Sequence, residues 1–341
     1  MSGLGMLLAA GPVRRAIHGI AARFGLRRDA SGKAAAPWIA RRVDHAYHVL
    51  LYHRVNDEHA RFFAGTPSAR FERDLERMLE QGPALPLLEV VERALARDVP
   101  PGAWAVTFDD GYRDNFTNAF PILRRLGVPA TIFLATGPMD DRRPLWHDRV
   151  FDAFTDAGDT SLELDGRSYD LADDRARRAA LQAFLGIVRR MEPAARTARI
   201  DSLLERLGVA ERTQVDRMLR WSDAREMGGK GIDFGGHTVT HPILSRMPVE
   251  LAAREIADCR DRIEANLGVR VSLFAYPNGT RADYDAGVVR AVKDAGYRAA
   301  VTTEWGANRA GDDPMTLRRV GLWGPDPNLA VVRLSWERFA R

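Results

Sequence analysis

Two short fragments carry residue types able to do metal chemistry: Thr107-Phe108-Asp109-Asp110-Gly111 and, well downstream, His237-Thr238-Val239-Thr240-His241-Pro242. Imidazole nitrogens and one carboxylate oxygen form the ligand set that zinc and similar divalent metals prefer, and an open coordination position then takes water. The adjacent carboxylate is available as a base. Each fragment also has a plain structural reading, since Asp-Asp-Gly is common at solvated turns and two histidines four apart are often surface residues. In the second fragment three β-branched residues separate the histidines and a proline follows. That composition predicts a strand terminus or tight loop rather than a helix.

The elements that must position these residues follow from hydrophobic periodicity. Tyr47 to Tyr52 reads as a strand, Phe71 to Gln81 as a helix, and Ala103 to Phe108 as a strand running directly into Asp109-Asp110-Gly111. Phe116 to Leu126 reads as a helix, Ala130 to Ala135 and Ile232 to Gly235 as strands, and Pro248 to Leu267 as a long helix. Ser272 to Ala275 is a strand, Ala286 to Ala295 a helix and Tyr297 to Thr302 extended. This alternation predicts an α/β fold, a parallel barrel whose site lies on the face built by strand-to-helix loops. Between about 138 and 221 the alternation fails. Thr160 to Asp170 fits a hairpin around Asp165-Gly166, while Arg175 to Met191 and Ala194 to Leu207 fit amphipathic helices, so the segment reads as a largely helical insertion. It borders the cleft or merely elaborates the fold.

Together with a third fragment, Phe274-Ala275-Tyr276-Pro277-Asn278-Gly279, the two motifs resemble the polysaccharide deacetylase family, the NodB homology domain of carbohydrate esterase family 4. The resemblance runs from about Val49 to Val320 and implies an irregular (β/α) barrel of seven or eight strands. It implies that Asp110, His237 and His241 hold a divalent metal, zinc first and cobalt or nickel as alternatives. Asp109 is then the base that takes the proton of the attacking water. The backbone N–H of Asn278 takes the oxyanion-hole position, a donor typically worth about 3 kcal/mol of barrier, and Tyr276 and Pro277 border the substrate.

The chain departs from the family pattern in two places. Ala275 stands where an arginine usually braces the catalytic aspartate, which leaves the orientation of Asp109 unsupported. No histidine follows His241, although the family usually places its acid near the carboxyl terminus. Leu51-Tyr52-His53 resembles the forward-shifted motif of deacetylases acting on poly-N-acetylglucosamine. In a closed barrel the first and last strands are neighbours, so His53 is the candidate acid, with a structural histidine as the alternative. Trp305 is a candidate for stacking on a sugar ring. Tyr112 and Arg113, with Arg54, flank the catalytic loops and are candidates for contacts to sugar hydroxyls. Trp146-His147-Asp148 contains ligand types but reads as a helix entry, with Asp148 at the helix start.

Composition bounds the rest. The 341 residues are 45% hydrophobic, enough for one large core carrying a substantial insertion. The net charge of +4 comes with no recognised nucleic-acid motif, so no nucleic-acid partner is expected. Cys259 is the one cysteine, which excludes an intramolecular disulfide, and its helical pattern with Leu251, Ile256 and Ile263 marks a core thiol. Residues 1–42 read as a helical segment and linker ahead of a deacetylase-like domain at 43–341. Val13, Ile17, Ile20 and Phe24 at helical spacing among arginines fit either a packed helix or peripheral contact with an anionic membrane. The segment is a poor signal peptide, so a cytoplasmic location, with membrane association through this helix, is the expectation. The expected activity is hydrolysis of N-acetyl groups on an N-acetylhexosamine-containing glycan. The alternatives are an O-acetyl esterase or other amidohydrolase, and a glycan-binding domain with a degraded site.

Overall fold

The computed structural model describes residues 46–58, 60–158, 160–210 and 216–322, together with the short antiparallel pair Arg27–Arg28 and Ala34–Ala35. The predicted amino-terminal helix lies outside the described residues. No helix among the described residues is long and apolar enough to cross a membrane.

From Ala46 onward the chain runs β1 (Ala46–Tyr52), α1 (Ser68–Leu79), α2 (Leu87–Leu95), β2 (Trp104–Phe108), a π-helical turn (Asn115–Ala119), α3 (Phe120–Leu126), β3 (Ala130–Leu134) and α4 (Thr136–Asp141). There follow α5 (Trp146–Asp156), the hairpin β4 (Ser161–Leu164) and β5 (Arg167–Asp170), α6 (Asp174–Val188), α7 (Pro193–Leu207), α8 (Trp221–Met227) and β6 (Ile232–Gly236). The last elements are α9 (Val249–Leu267), β7 (Leu273–Ala275), α10 (Ala286–Asp294), β8 (Ala299–Trp305), β9 (Asn308–Arg309) and β10 (Leu317–Arg319).

Eight of these strands form one sheet in the order β9-β1-β2-β3-β6-β7-β8-β10, parallel throughout except for β9. Val320, just past β10, bridges Leu50 of β1, with Val320 N–H donating to Val49 at 2.8 Å and Leu51 N–H to Val320 at 3.0 Å. The first and last strands are therefore neighbours, as a barrel requires.

Strand alternation sorts the core into layers. Val49, Ala105, Phe133, Leu273, Ala275, Ala299, Val301 and Leu317 share one cluster with Leu87, Val90 and Val91 of α2. Their alternate neighbours, among them Leu50, Val106, Phe108, Ile132, Phe274 and Ala300, pack in a second cluster with α1, α3, α9 and α10. Thr107 and Asp109 continue the Ala105 face, and Arg319 continues the Leu317 face. Polar groups at the strand ends are thus aimed at one another inside the barrel.

The insertion has a core of its own, in which α5, α6, α7 and the hairpin gather Val150, Phe154, Leu162, Leu181, Phe184, Ile200 and Leu203. Asp165 and Gly166 turn the hairpin with φ of 48° and 75°, the left-handed pair that suits a two-residue loop. Two differences from the sequence reading have local causes. The helix expected over Phe116 to Leu126 begins as a π turn, because Pro121 at its start lacks the N–H that a regular α-helix needs four residues on. Helix α2 and strands β9 and β10 are too short to register as a period, at nine, two and three residues.

Candidate metal centre

Asp110 follows β2 with φ of 74°, a left-handed conformation that turns its carboxylate out of the strand register of Asp109. Its Oδ1 lies 3.5 Å from His237 Nε2 and 3.2 Å from His241 Nε2, and the two imidazole centroids are 4.8 Å apart. All three side chains are buried, and their ligand atoms fall within 4.8 Å of one another.

His237 is placed by β6, whose Gly235 and Gly236 leave no room for a side chain: a Cβ on Gly236 would meet Tyr297 Oη at 2.2 Å. Its Nδ1–H donates to the Ala275 carbonyl at 2.7 Å, which fixes the tautomer and turns the Nε2 lone pair toward Asp110. The loop to His241 is strained, with φ of 67° at Thr238 and 54° at His241, each costing about 1–3 kcal/mol. Glu255 from α9 holds that loop, accepting from the N–H groups of Val239 and Thr240 at 2.8 Å each and from Thr240 Oγ1 at 2.8 Å. The Trp146 indole of the insertion donates to the His241 carbonyl at 2.9 Å.

Three lone pairs converging on one point without a cation repel one another, so the donor set fits a divalent metal. Burial would raise the Asp110 carboxyl, but the imidazoles of His237 and His241 that face it outweigh burial and hold the group well below the usual carboxylate range.

Asp109 is braced after all, by Arg319 of β10. Its guanidinium donates Nη1 to Oδ1 and Nη2 to Oδ2, both at 2.6 Å, while Nε donates to the Thr302 carbonyl at 2.7 Å and Nη1 reaches Thr107 Oγ1 at 3.2 Å. Both residues are buried. Burial pushes the Asp109 carboxyl up, and the Arg319 guanidinium beside it overcomes burial, so the group stays ionised below its ordinary value. The loss anticipated at Ala275 is made good from another strand. Two features of the sequence hide this: Arg319 lies more than two hundred residues from Asp109, and its strand is three residues long.

His53 follows β1 beside the end of β2, close enough to Asp109 to act on its charge, and its ring meets Phe63 edge-on at 6.2 Å. The π turn after β2 grips this loop. Asn115 Nδ2 donates to the His53 carbonyl at 2.8 Å, and Asp114 accepts from Val55 N–H, Asn56 Nδ2 and Arg54 Nε. Asn278 has φ of 59° in the turn after β7, its carbonyl accepts from Thr303 Oγ1 at 2.6 Å, and its Nδ2 is buried without a partner.

The residues expected to meet substrate divide sharply. Trp305 ends β8 with 42% of its surface exposed. Tyr276 does not line a cleft: it is buried, stacks on Tyr284 at 4.5 Å, and donates its hydroxyl to the Met315 carbonyl at 3.0 Å. Strand alternation sends it to the outer core, and Pro277 beside it is a buried turn residue. Tyr112 is likewise buried, its hydroxyl donating to Asp148 Oδ1 at 3.0 Å. Arg113 pairs with Asp216 and lies 3.5 Å from Asp223, which ties the motif loop to the end of the insertion.

The insertion also brings His147 to the metal centre. Its Nε2 lies 3.9 Å from Asp110 Oδ2, and its ring is 5.1 Å from that of His241. Burial drives the His147 imidazole down to about 3, and burial drives the Asp148 carboxyl up to about 7 despite Arg217 at 3.6 Å.

Comparison with known proteins shows the family. The family model for polysaccharide deacetylase matches residues 96–300, which is 205 of the 341 residues. The chain belongs to the polysaccharide deacetylase family. It is 20% identical over 285 residues to the putative polysaccharide deacetylase YxkH of Bacillus subtilis, covering 83% of this chain and 74% of that one. In fold it is similar to the Streptococcus pyogenes deacetylase PplD, solved in complex with acetate, at a TM-score of 0.57 and 19% identity over 85% of this chain and 97% of that chain. IcaB from Ammonifex degensii gives a TM-score of 0.56 and 19% identity with the same two coverages.

Proposed function

We propose that this family member is a metal-dependent hydrolase that removes N-acetyl groups from an N-acetylhexosamine-containing glycan, releasing acetate and a free amine. The observation that carries the reading is the convergence of Asp110, His237 and His241 beside a buried carboxylate held bidentately by arginine. The three residues would hold zinc, or cobalt or nickel, and the cation would polarise the acetyl carbonyl and acidify water.

The remaining chemistry belongs to the chain's own groups. Asp109, ionised and fixed in rotation by Arg319, accepts the proton of the attacking water. The backbone N–H of Asn278 serves the oxyanion. His53, just past the strand that pairs with β2, hands a proton to the departing amine. Because Arg319 supplies the brace, the alanine at 275 no longer favours the reading of a degraded, merely glycan-binding domain.

The reading is tested by acetate release from matched N- and O-acetylated sugars, with metal content measured on the same sample. Stoichiometric metal and acetate from the N-acetylated members support it. Release from the O-acetylated members alone makes the protein an esterase, and intact metal with no hydrolysis of either makes it a binding module. Within the active enzyme, His53→Ala should lower turnover about a hundredfold while leaving the metal in place; unchanged turnover would remove His53 as the acid.

A further inference from the structure

The insertion does more than elaborate the fold, because its first helix places a histidine against the metal centre that neither the ligand set nor the acid–base pair uses. His147 is the second residue of α5, and its Nε2 is 3.1 Å from the Tyr112 hydroxyl. Tyr112 has one hydroxyl hydrogen, and that hydrogen goes to Asp148 Oδ1 at 3.0 Å. The tyrosine oxygen must therefore receive its bond from His147, which makes Nε2 the protonated nitrogen and leaves Nδ1 with a lone pair. With its hydrogen committed to Tyr112, Nε2 cannot ligate the metal. Nδ1 makes no hydrogen bond among the described residues, and the side chain keeps 12% of its surface accessible.

The ring is held on its flanks as well. Trp146 meets it edge-on at 5.4 Å, Phe63 at 6.1 Å and Phe151 at 6.2 Å. Phe63 stacks on Phe151 at 5.1 Å with planes 5° apart, and it also contacts His53. A half-buried aromatic surface thus joins the candidate acid to His147, with one unused acceptor beside it. Apolar surface with a few fixed polar groups is the usual make-up of a small-molecule site.

We propose that His147 is a substrate-positioning residue whose Nδ1 accepts a hydrogen bond from an N–H or O–H of the acetylated sugar, while Phe63 supports the sugar's apolar face. The proposal rests on the deacetylase reading. The His147 tautomer is set by Tyr112 of the motif loop and Asp148 of α5, so the insertion contributes to substrate specificity through its first helix.

The test uses the full-length, metal-loaded protein with the tetramer of N-acetylglucosamine as probe. Acetate release gives kcat and KM, and calorimetric titration of the same probe into the Asp109→Asn protein gives affinity without turnover. His147→Ala should lower kcat/KM and probe affinity about five- to tenfold, the worth of one neutral hydrogen bond, with metal stoichiometry unchanged. His147→Asn, whose amide can occupy the Nδ1 position, should recover part of the loss. Tyr112→Phe should show a smaller loss, because the ring remains but its tautomer is no longer fixed. Unchanged kcat/KM and affinity in His147→Ala would overturn the proposal, as would loss of metal in step with activity, which would make His147 a ligand. A wild-type protein that neither binds nor cleaves the tetramer would instead overturn the deacetylase reading on which it rests.

Discussion

On the barrel side of the candidate metal centre, Asp109, Asp110 and Arg319 are carried at the ends of parallel strands, whereas on the insertion side His147 and Asp148 take their directions from the first turn of a helix. The carboxylates of the barrel side are each matched by a partner. Asp109 has an arginine on both oxygens, Asp110 faces two imidazoles, and His237 has a carbonyl behind it. The insertion side is left incomplete: Asp148 Oδ2 is buried without a partner, as are Nε and Nη1 of Arg196, whose guanidinium lies over Trp146 at 4.6 Å. The two sides therefore have different tolerances. A group held by a paired charge in a buried setting fails abruptly when the partner goes, whereas a group held by one neutral hydrogen bond fails gradually.

Substitutions can break this comparison at several levels. The largest effects belong to the ligands: His241→Ala should lose metal and turnover together, while Asp109→Asn should keep its metal and lose about 10²–10⁴-fold in turnover, as plasma emission spectrometry and acetate release would register. Near-normal rates in Asp109→Asn would remove that residue as the base. Arg319→Ala leaves a buried carboxylate uncompensated and should destabilise the fold by about 3–5 kcal/mol, read from denaturant unfolding. Arg319→Lys keeps the charge but not the fork, and an activity loss of about 10–100-fold with metal retained would separate orientation from charge.

Glu255→Ala frees the two N–H groups that hold the strained loop, and metal affinity should fall about 10–100-fold in a competition titration with a chelator. An unchanged affinity would mean that packing alone maintains the positive φ values at Thr238 and His241. The smallest effect concerns acid stability of the metal-free protein. His147 is held neutral down to about 3 in the folded state, while an unfolded histidine protonates near 6.5. Between those values the unfolded chain binds more protons, so stability rises with pH across this window. The raised Asp148 carboxyl acts in the opposite sense between about 4 and about 7. His147→Gln should thus narrow the gap between unfolding midpoints measured at pH 4 and pH 7, and a gap of the same size would show that His147 does not contribute to it.

How much of the site was legible in the sequence differs residue by residue. Asp110, His237 and His241 could be read directly, since their spacing and neighbours constrain the local backbone, and the structure brings their ligand atoms together. The adjacency of β1 and β10, from which the sequence puts His53 forward as the acid, is present in the structure. Tyr276 and Tyr112 are buried for a reason the motif does not carry: it gives the order of residues, but the face on which each side chain lands depends on strand phase and on the packing around it. His147 carries no signal of its own, because a histidine in a first helical turn has an ordinary reading until the helix is docked.

The sequence by itself determined the alternation of strands and helices and the two fragments that supply the Asp/His/His cluster, because each is a local property of side-chain volume, β-branching and hydrogen bonding within a few residues. Only the tertiary structure decided that Arg319 braces Asp109 and that His147 meets the metal centre. Those pairings join residues 210 positions apart in the first case and come from an independently packed insertion in the second. Such contacts are fixed by barrel closure and by how two cores seat against each other, and no window of neighbouring residues carries that information.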